Sequence, residues 1–137
     1  MSSFTKHPPL QPLSDGIHWQ VVEDFEYHVG KEESNDVVKV PAGFITDGAS
    51  IPKIFWSIIG GPWGKYGYAA ILHDFCYSTQ TRTRLASDKI FLEAMKVLQV
   101  NIFKRLIMYR AVRIASFIPW NKRAKQIKKE VLKTCLP

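Results

Sequence analysis

His73-Asp74-Phe75-Cys76-Tyr77 sets an imidazole, a carboxylate and a phenol in one short stretch that reads as helix. A histidine of this kind is suited to take a proton from water as a general base. It needs an acid to fix its tautomer, and Asp74 cannot be that acid, because adjacent helical residues point about 100° apart. The orienting acid must come from elsewhere. Asp88, expected at the start of the next helix, is placed first; Glu93 and Asp47 are the substitutes. Upstream, Gly60-Gly61-Pro62-Trp63-Gly64 offers glycines that let a backbone turn its carbonyls inward. Calcium accepts such carbonyls together with carboxylates, so Gly60, Gly61 and Gly64 with Asp74 are candidate calcium ligands. The same residues have plainer readings. A helical histidine is often a hydrogen-bonded structural residue, Gly-Gly-Pro ends many helices, and Asp47 before Gly48 is ordinary turn chemistry.

The elements that must position these residues follow from periodicity. Residues 17–29 and 37–45 alternate as strands around the polar turn 31–36, which predicts an antiparallel hairpin or small sheet. Ser50 and Pro52 open a short helix. A helix is predicted over 66–79, a second with Ser87 as its cap, and a third capped by Asn101 and running to about Phe117. Pro119 is expected to break the third, with a terminal basic helix from Asn121. The fold class is therefore α+β: an N-terminal antiparallel hairpin or small sheet, then four to five helices with a central antiparallel pair. In the third helix Phe103, Ile107, Ile114 and Ile118 form a stripe with Arg110 inside it. The charges are too scattered for a membrane-surface helix, so the stripe is expected to pack into the core, with Arg110 pairing a buried acid or facing the site.

A chain of 137 residues with 46% apolar content supports one domain and excludes global disorder. We divide it into a flexible N-terminal arm over 1–15, an α+β domain over 16–118 and a basic C-terminal helix over 119–137. Charge is uneven. Residues 101–137 hold 10 Lys and Arg against Glu130 alone, whereas residues 1–100 hold 9 against 11 acids. Such a block attracts anionic membrane surfaces or other polyanions, through Lys122, Arg123, Lys125, Lys128 and Lys129. A solvated helix face is the plainer reading. Two cysteines make no disulfide scaffold, and Cys76 reads as a small buried hydrophobe. The start of the chain lacks a signal-peptide pattern, and no run is long enough for a membrane span. Synthesis in a reducing cytoplasm is expected.

Three stretches carry a resemblance: Val40-Pro41-Ala42-Gly43-Phe44-Ile45-Thr46-Asp47-Gly48-Ala49-Ser50-Ile51-Pro52, then Tyr68 to Tyr77, then Ala86-Ser87-Asp88-Lys89-Ile90-Phe91. They resemble a family of unknown function encoded by tailed bacteriophages and prophages. More locally, His-Asp-x-x-Tyr after a Gly-rich loop is similar to phospholipases of the A2 type, both secreted and parvovirus-capsid. That resemblance implies that His73 activates water, Asp88 holds the imidazole and Tyr77 hydrogen-bonds the Asp. It implies that Asp74 ligates calcium beside the Gly60–Gly64 carbonyls, the ion polarising an ester carbonyl. The chain departs from those enzymes in its shorter loop-to-His spacing, its lack of disulfides and its N-terminal hairpin.

Three functions remain open on the sequence. One is a calcium-dependent phospholipid acyl-ester hydrolase at the host membrane. The second is a non-catalytic virion or tail-associated protein working with other phage structural proteins. The third is a basic nucleic-acid or host-factor binder, for which Trp120-Asn121-Lys122-Arg123 carries no reading motif.

Overall fold

The computed structural model describes residues 3–4, 9–31, 33–46 and 65–135. The short helix expected from Ser50, the Gly60–Gly64 loop and Asp47 lie outside the described residues. Among the described residues six strands come first: β1 (Ser3–Phe4), β2 (Leu10–Pro12), β3 (Trp19–Val21), β4 (Phe25–His28), β5 (Val37–Val40) and β6 (Ile45–Thr46). Four helices follow: α1 (Gly67–Thr79), α2 (Arg84–Val97), α3 (Ile102–Ala115) and α4 (Phe117–Cys135). The α+β class read from the sequence is the class observed.

The strands form two antiparallel sheets, ordered β1-β4-β5 and β2-β3-β6. In the first, Phe25 pairs with Val40 and Tyr27 with Val38. The side-chain period of two then sends Phe25, Tyr27, Val38 and Val40 to one buried face. The segment expected to be a loose arm contributes to both sheets. Ser3 and Phe4 pair with His28 and Tyr27, and Leu10 to Pro12 pair with β3. Phe4 gains a reason to stay there from its ring contact with Tyr27, at 4.7 Å between centroids.

Helix α1 brings Ala69, Ala70, Ile71, Leu72 and Cys76 to the core, and α2 adds Ile90, Phe91, Ala94 and Met95. Burying each large aliphatic side chain contributes about 1.5–3 kcal/mol, so this helix pair is a firm base for a site. Helix α1 stops at Gln80, whose left-handed φ of 48° turns the chain, and the short link to Thr83 returns it antiparallel as α2. Cys76 is buried as expected, and burial pushes its thiol up to about 11, which makes it inert rather than nucleophilic.

Two helix starts differ from the sequence reading. Thr83, not Ser87, caps α2: its hydroxyl accepts from the Ala86 N–H, while the Ser87 hydroxyl donates back to the Thr83 carbonyl. Asp88 consequently lies inside the helix, one turn past its mouth. Pro119 does not divide α3 from α4. The break is at Ser116, and Pro119 sits in the first turn of α4, where its missing N–H costs no helical bond. Asn101 caps α3 as read, its side chain accepting from the Phe103 N–H.

Candidate functional site

His73 and Tyr77 stand one turn apart on α1, so their side chains share a face; the two ring centroids are 4.2 Å apart. Phe91 of α2 closes the other side of the imidazole at 4.8 Å. Opposite them Asp88 projects from α2 with a fully buried side chain. Its Oδ1 lies 2.8 Å from His73 Nε2 and accepts the Tyr77 hydroxyl at 2.6 Å. Its Oδ2 accepts from Arg113 Nη1 at 2.6 Å, with Arg84 Nη1 at 3.7 Å.

Burial opposes ionisation of Asp88, but the hydrogen bonds from His73, Tyr77 and Arg113 prevail and hold its carboxyl below the ordinary value. An ionised carboxylate only accepts, so His73 Nε2 carries the proton in this bond. In the neutral imidazole that leaves Nδ1 as the free lone pair, a general base in the tautomer that Asp88 selects. The imidazole retains 15% exposure, so the ring is walled but not sealed. Burial, then the bond to Asp88, raises the Tyr77 phenol to about 12, which keeps it a donor. The Tyr77 oxygen also lies 2.8 Å from Ser116 Oγ, whose hydroxyl donates to the Val112 carbonyl.

The predicted His73–Asp88 bond is therefore present, and one of its substitutes is engaged elsewhere. Glu93 Oε1 accepts from the Tyr27 hydroxyl at 2.8 Å and from the Gly30 N–H at 2.9 Å. It ties the β4–β5 turn to α2, where Gly30 adopts a φ of +86° that side-chain-bearing residues rarely take. Asp47 lies outside the described residues.

Asp74 points away from this cluster, and its Oδ2 accepts the Thr46 hydroxyl at 2.8 Å. Its carboxylate is a hard oxygen donor of the kind calcium takes, but calcium needs about six to eight oxygens. Among the described residues no group of three His, Cys, Asp or Glu gathers to hold a metal ion. Gly60, Gly61 and Gly64 would have to complete the set, and they lie outside the described residues.

In the basic segment, Lys122, Lys125, Lys128 and Lys129 are exposed. Arg123 is not spare: its Nε donates to the Ser78 carbonyl at 2.8 Å, and Nη1 pairs with Glu130 at 3.3 Å. No helix among the described residues is long and apolar enough to cross a membrane.

Arg113, Arg84, Ser116 and Thr46 are the site residues that the sequence reading missed. Arg110 was expected to pair with a buried acid or to face the site, but it is exposed, and Arg113 pairs with the buried acid instead. The signal was present as a second helical spacing through Met108, Val112 and Ser116, on the face that α3 turns inward.

The geometry can be set beside known proteins. An uncharacterized protein of Sinorhizobium fredii, y4jT, is 41% identical over 90 residues; the match covers 64% of this chain and 26% of that protein. The chain thus spans about a quarter of that relative's length. No solved structure matches. A family described as "Protein of unknown function (DUF1353)" matches residues 19–112, a span that includes His73, Asp74, Tyr77 and Asp88 and closes one residue before Arg113. With well over half its length inside that match, the chain belongs to the DUF1353 family.

Proposed function

We propose that this protein is a phage- or prophage-encoded acyl-ester hydrolase acting on phospholipid, with His73 as its general base. The observation that carries the reading is the sharing of Asp88 Oδ1 by His73 Nε2 and the Tyr77 hydroxyl, from one face of one helix. A water molecule gives its proton to His73 Nδ1 as its oxygen bonds to the ester carbonyl carbon. The ester C–O bond then breaks, and the departing alkoxide takes the proton from the imidazolium, which restores the neutral base. Asp88 stabilises the transient imidazolium and fixes the tautomer. Arg113 and Tyr77 keep Asp88 ionised, so it orients the ring without taking the proton itself. Asp74, with the carbonyls of Gly60, Gly61 and Gly64, would hold a calcium ion, which when bound supplies charge for a developing oxyanion. The exposed lysines of α4, Lys122, Lys125, Lys128, Lys129 and Lys133, favour an anionic membrane as the place of action.

A second reading has its own observation. Asp88 is met on both oxygens, by four side chains from three helices, and a buried polar centre so fully paired also serves a non-catalytic virion or tail protein. Fatty-acid release from mixed phospholipid vesicles, with calcium and with chelator, separates the two. Under the hydrolase reading His73→Ala lowers the rate by about 10²–10⁴-fold while the circular-dichroism spectrum is kept. Asp74→Asn weakens calcium binding in calorimetry. A wild type inert on phospholipid and simple esters, with a His73→Ala variant that melts much earlier, would leave the structural reading standing.

A further inference from the structure

Helix α3 turns an apolar face to solvent. Phe103 and Ile114 are each 74% exposed, and Ile102, Leu106 and Ile107 are exposed beside them. Phe117 and Ile118 continue the exposed apolar surface into the first turn of α4. Single exposed aliphatics are ordinary, but a contiguous set on one element marks an interaction surface. The stripe Phe103, Ile107, Ile114 and Ile118 was expected to be core. The helix instead meets the body through Met108 and Val112. Beside the stripe lies a cleft of about 280 Å3, which sets Leu92, Ile102 and Leu106 among Lys89, Lys96 and Arg105. Its one acid, Glu93, is bonded to Tyr27 and Gly30.

Charge decides what covers this face. Helix α3 carries Lys104, Arg105, Arg110 and Arg113 and no acid. A second copy docked on the same face would bring those cations together, since a two-fold contact sets each patch against itself. Nucleic acid would satisfy the cations but would leave Ile102, Ile107, Ile114 and Ile118 against a sugar–phosphate backbone that gains nothing from them. An anionic bilayer takes both components, with acyl chains for the aliphatic stripe and lipid phosphates for Lys104 beside it and Arg110 within it. The scattered charges argue against a membrane-surface helix in the sequence, but the exposure of the stripe reverses that expectation. We propose that the outer face of α3, from Ile102 to Ile114 and on to Ile118, is a docking surface for anionic phospholipid bilayers. Phe103, Ile107 and Ile114 enter the acyl boundary, and Lys104 and Arg110 reach the phosphates. The surface stands apart from the His73 centre and does not depend on hydrolysis.

The test uses the 137-residue chain with vesicles of phosphatidylglycerol and phosphatidylcholine, against vesicles of phosphatidylcholine alone. An F103W variant should shift its emission to shorter wavelength only with the anionic vesicles, and lipids brominated on their acyl chains should quench it. F103S combined with I114S should weaken co-sedimentation by about tenfold or more, given the apolar area withdrawn, with an unchanged melting temperature because both sites are exposed. Ester release from dispersed substrate by that double variant should match wild type, which separates docking from catalysis. Three results would overturn the proposal. In one, F103W emission does not move although the protein pellets, so that the α4 lysines alone bind. In another, sedimentation velocity shows a dimer that F103S abolishes. In the third, duplex DNA shifts F103W and competes with vesicles.

Discussion

Arg110 and Arg113 lie one turn apart on α3 and meet opposite environments. Arg113 donates to the buried Asp88 at 2.6 Å from the edge of the face that carries Met108, Val112 and Ser116. Arg110 turns outward among Phe103, Ile107 and Ile114, and makes no ion pair among the described residues. Around one helix a single charge is thus drawn inside beside Met108 and Val112, while a run of apolar side chains is left outside with Lys104 and Arg110. The inner face is explained by a partner in the same chain, since a buried carboxylate must be paired. Among the described residues the outer face has no such partner, and its composition is what a charged, oily surface would select. A residue's type therefore says less than the group it faces.

The largest test of this contrast is removal of the acid that organises the inner face. Asp88→Ala leaves Arg113, Arg84, His73 and Tyr77 facing a buried gap without a counter-charge. Breaking a buried pair in this way costs about 3–5 kcal/mol, read as a lower urea midpoint and melting temperature. The sign of the pH dependence follows from the depressed carboxyl of Asp88. Its contribution to stability is fully present above the unfolded aspartate value, about 3.9. It is lost as pH falls through the lower folded value. Acid unfolding of wild type should therefore show a steep loss in that window, and Asp88→Asn should flatten it. A wild-type curve no steeper than that of Asp88→Asn would mean that Asp88 is not ionised in the fold.

The central helices were legible from their apolar spacing, while caps guided the reading unevenly, correctly at Asn101 and wrongly at Ser87. Residues 66–79 read as helix and are helix from Gly67, and Asn101 reads as a cap and is one. The pairing of His73 with Asp88 was legible because a helix cannot orient its own histidine with the next residue, so the acid had to come from elsewhere, and Asp88 ranked ahead of Glu93 and Asp47. What could not be read was the choice between two valid stripes on α3. Phe103-Ile107-Ile114 is the more apolar, and hydrophobicity alone assigns it to the core. Met108-Val112-Ser116 is the face that packs inward, and Arg113 at its edge reaches an acid that is distant in sequence. The strands of the N-terminal arm were hidden for another reason. Ser3 and Phe4 are too short a segment to show alternation, and Pro8, Pro9 and Pro12 advertise a loop. Their pairing is set by the edge of β4, which a local pattern does not reveal.

A smaller effect sharpens the inner half of the comparison. Tyr77→Phe removes the donor at 2.6 Å from Asp88 Oδ1 while keeping the ring that packs on His73 and on Trp120. The loss of one hydrogen bond to a charged group costs about 1.5–3 kcal/mol in unfolding experiments, less than removal of the carboxylate. Under the hydrolase reading the rate falls modestly, because His73 keeps its own bond to the acid. A rate loss as large as that of His73→Ala would promote Tyr77 from a positioning residue to one that touches substrate.

The smallest structural effect is the most discriminating. Arg110→Gln and Arg113→Gln remove the same charge from the same helix, so net charge and helix propensity change alike in the two variants. If the faces differ as described, Arg113→Gln lowers the melting temperature, since it withdraws a donor from a fully buried carboxylate. Arg110→Gln leaves it unchanged, because an exposed side chain without a partner contributes nothing that glutamine lacks. Vesicle binding should reverse the order. Arg110 lies within the apolar stripe and loses a contact to lipid phosphate, so its variant pellets less with anionic vesicles and gains nothing from lower salt. Arg113, committed to Asp88, has little to offer the bilayer, and its variant should bind as wild type at temperatures where it is folded. Equal stability losses in both variants would erase the distinction between the faces. Equal binding losses would mean that vesicles sense the total charge of α3 and not the surface that Arg110 shares with Phe103 and Ile114.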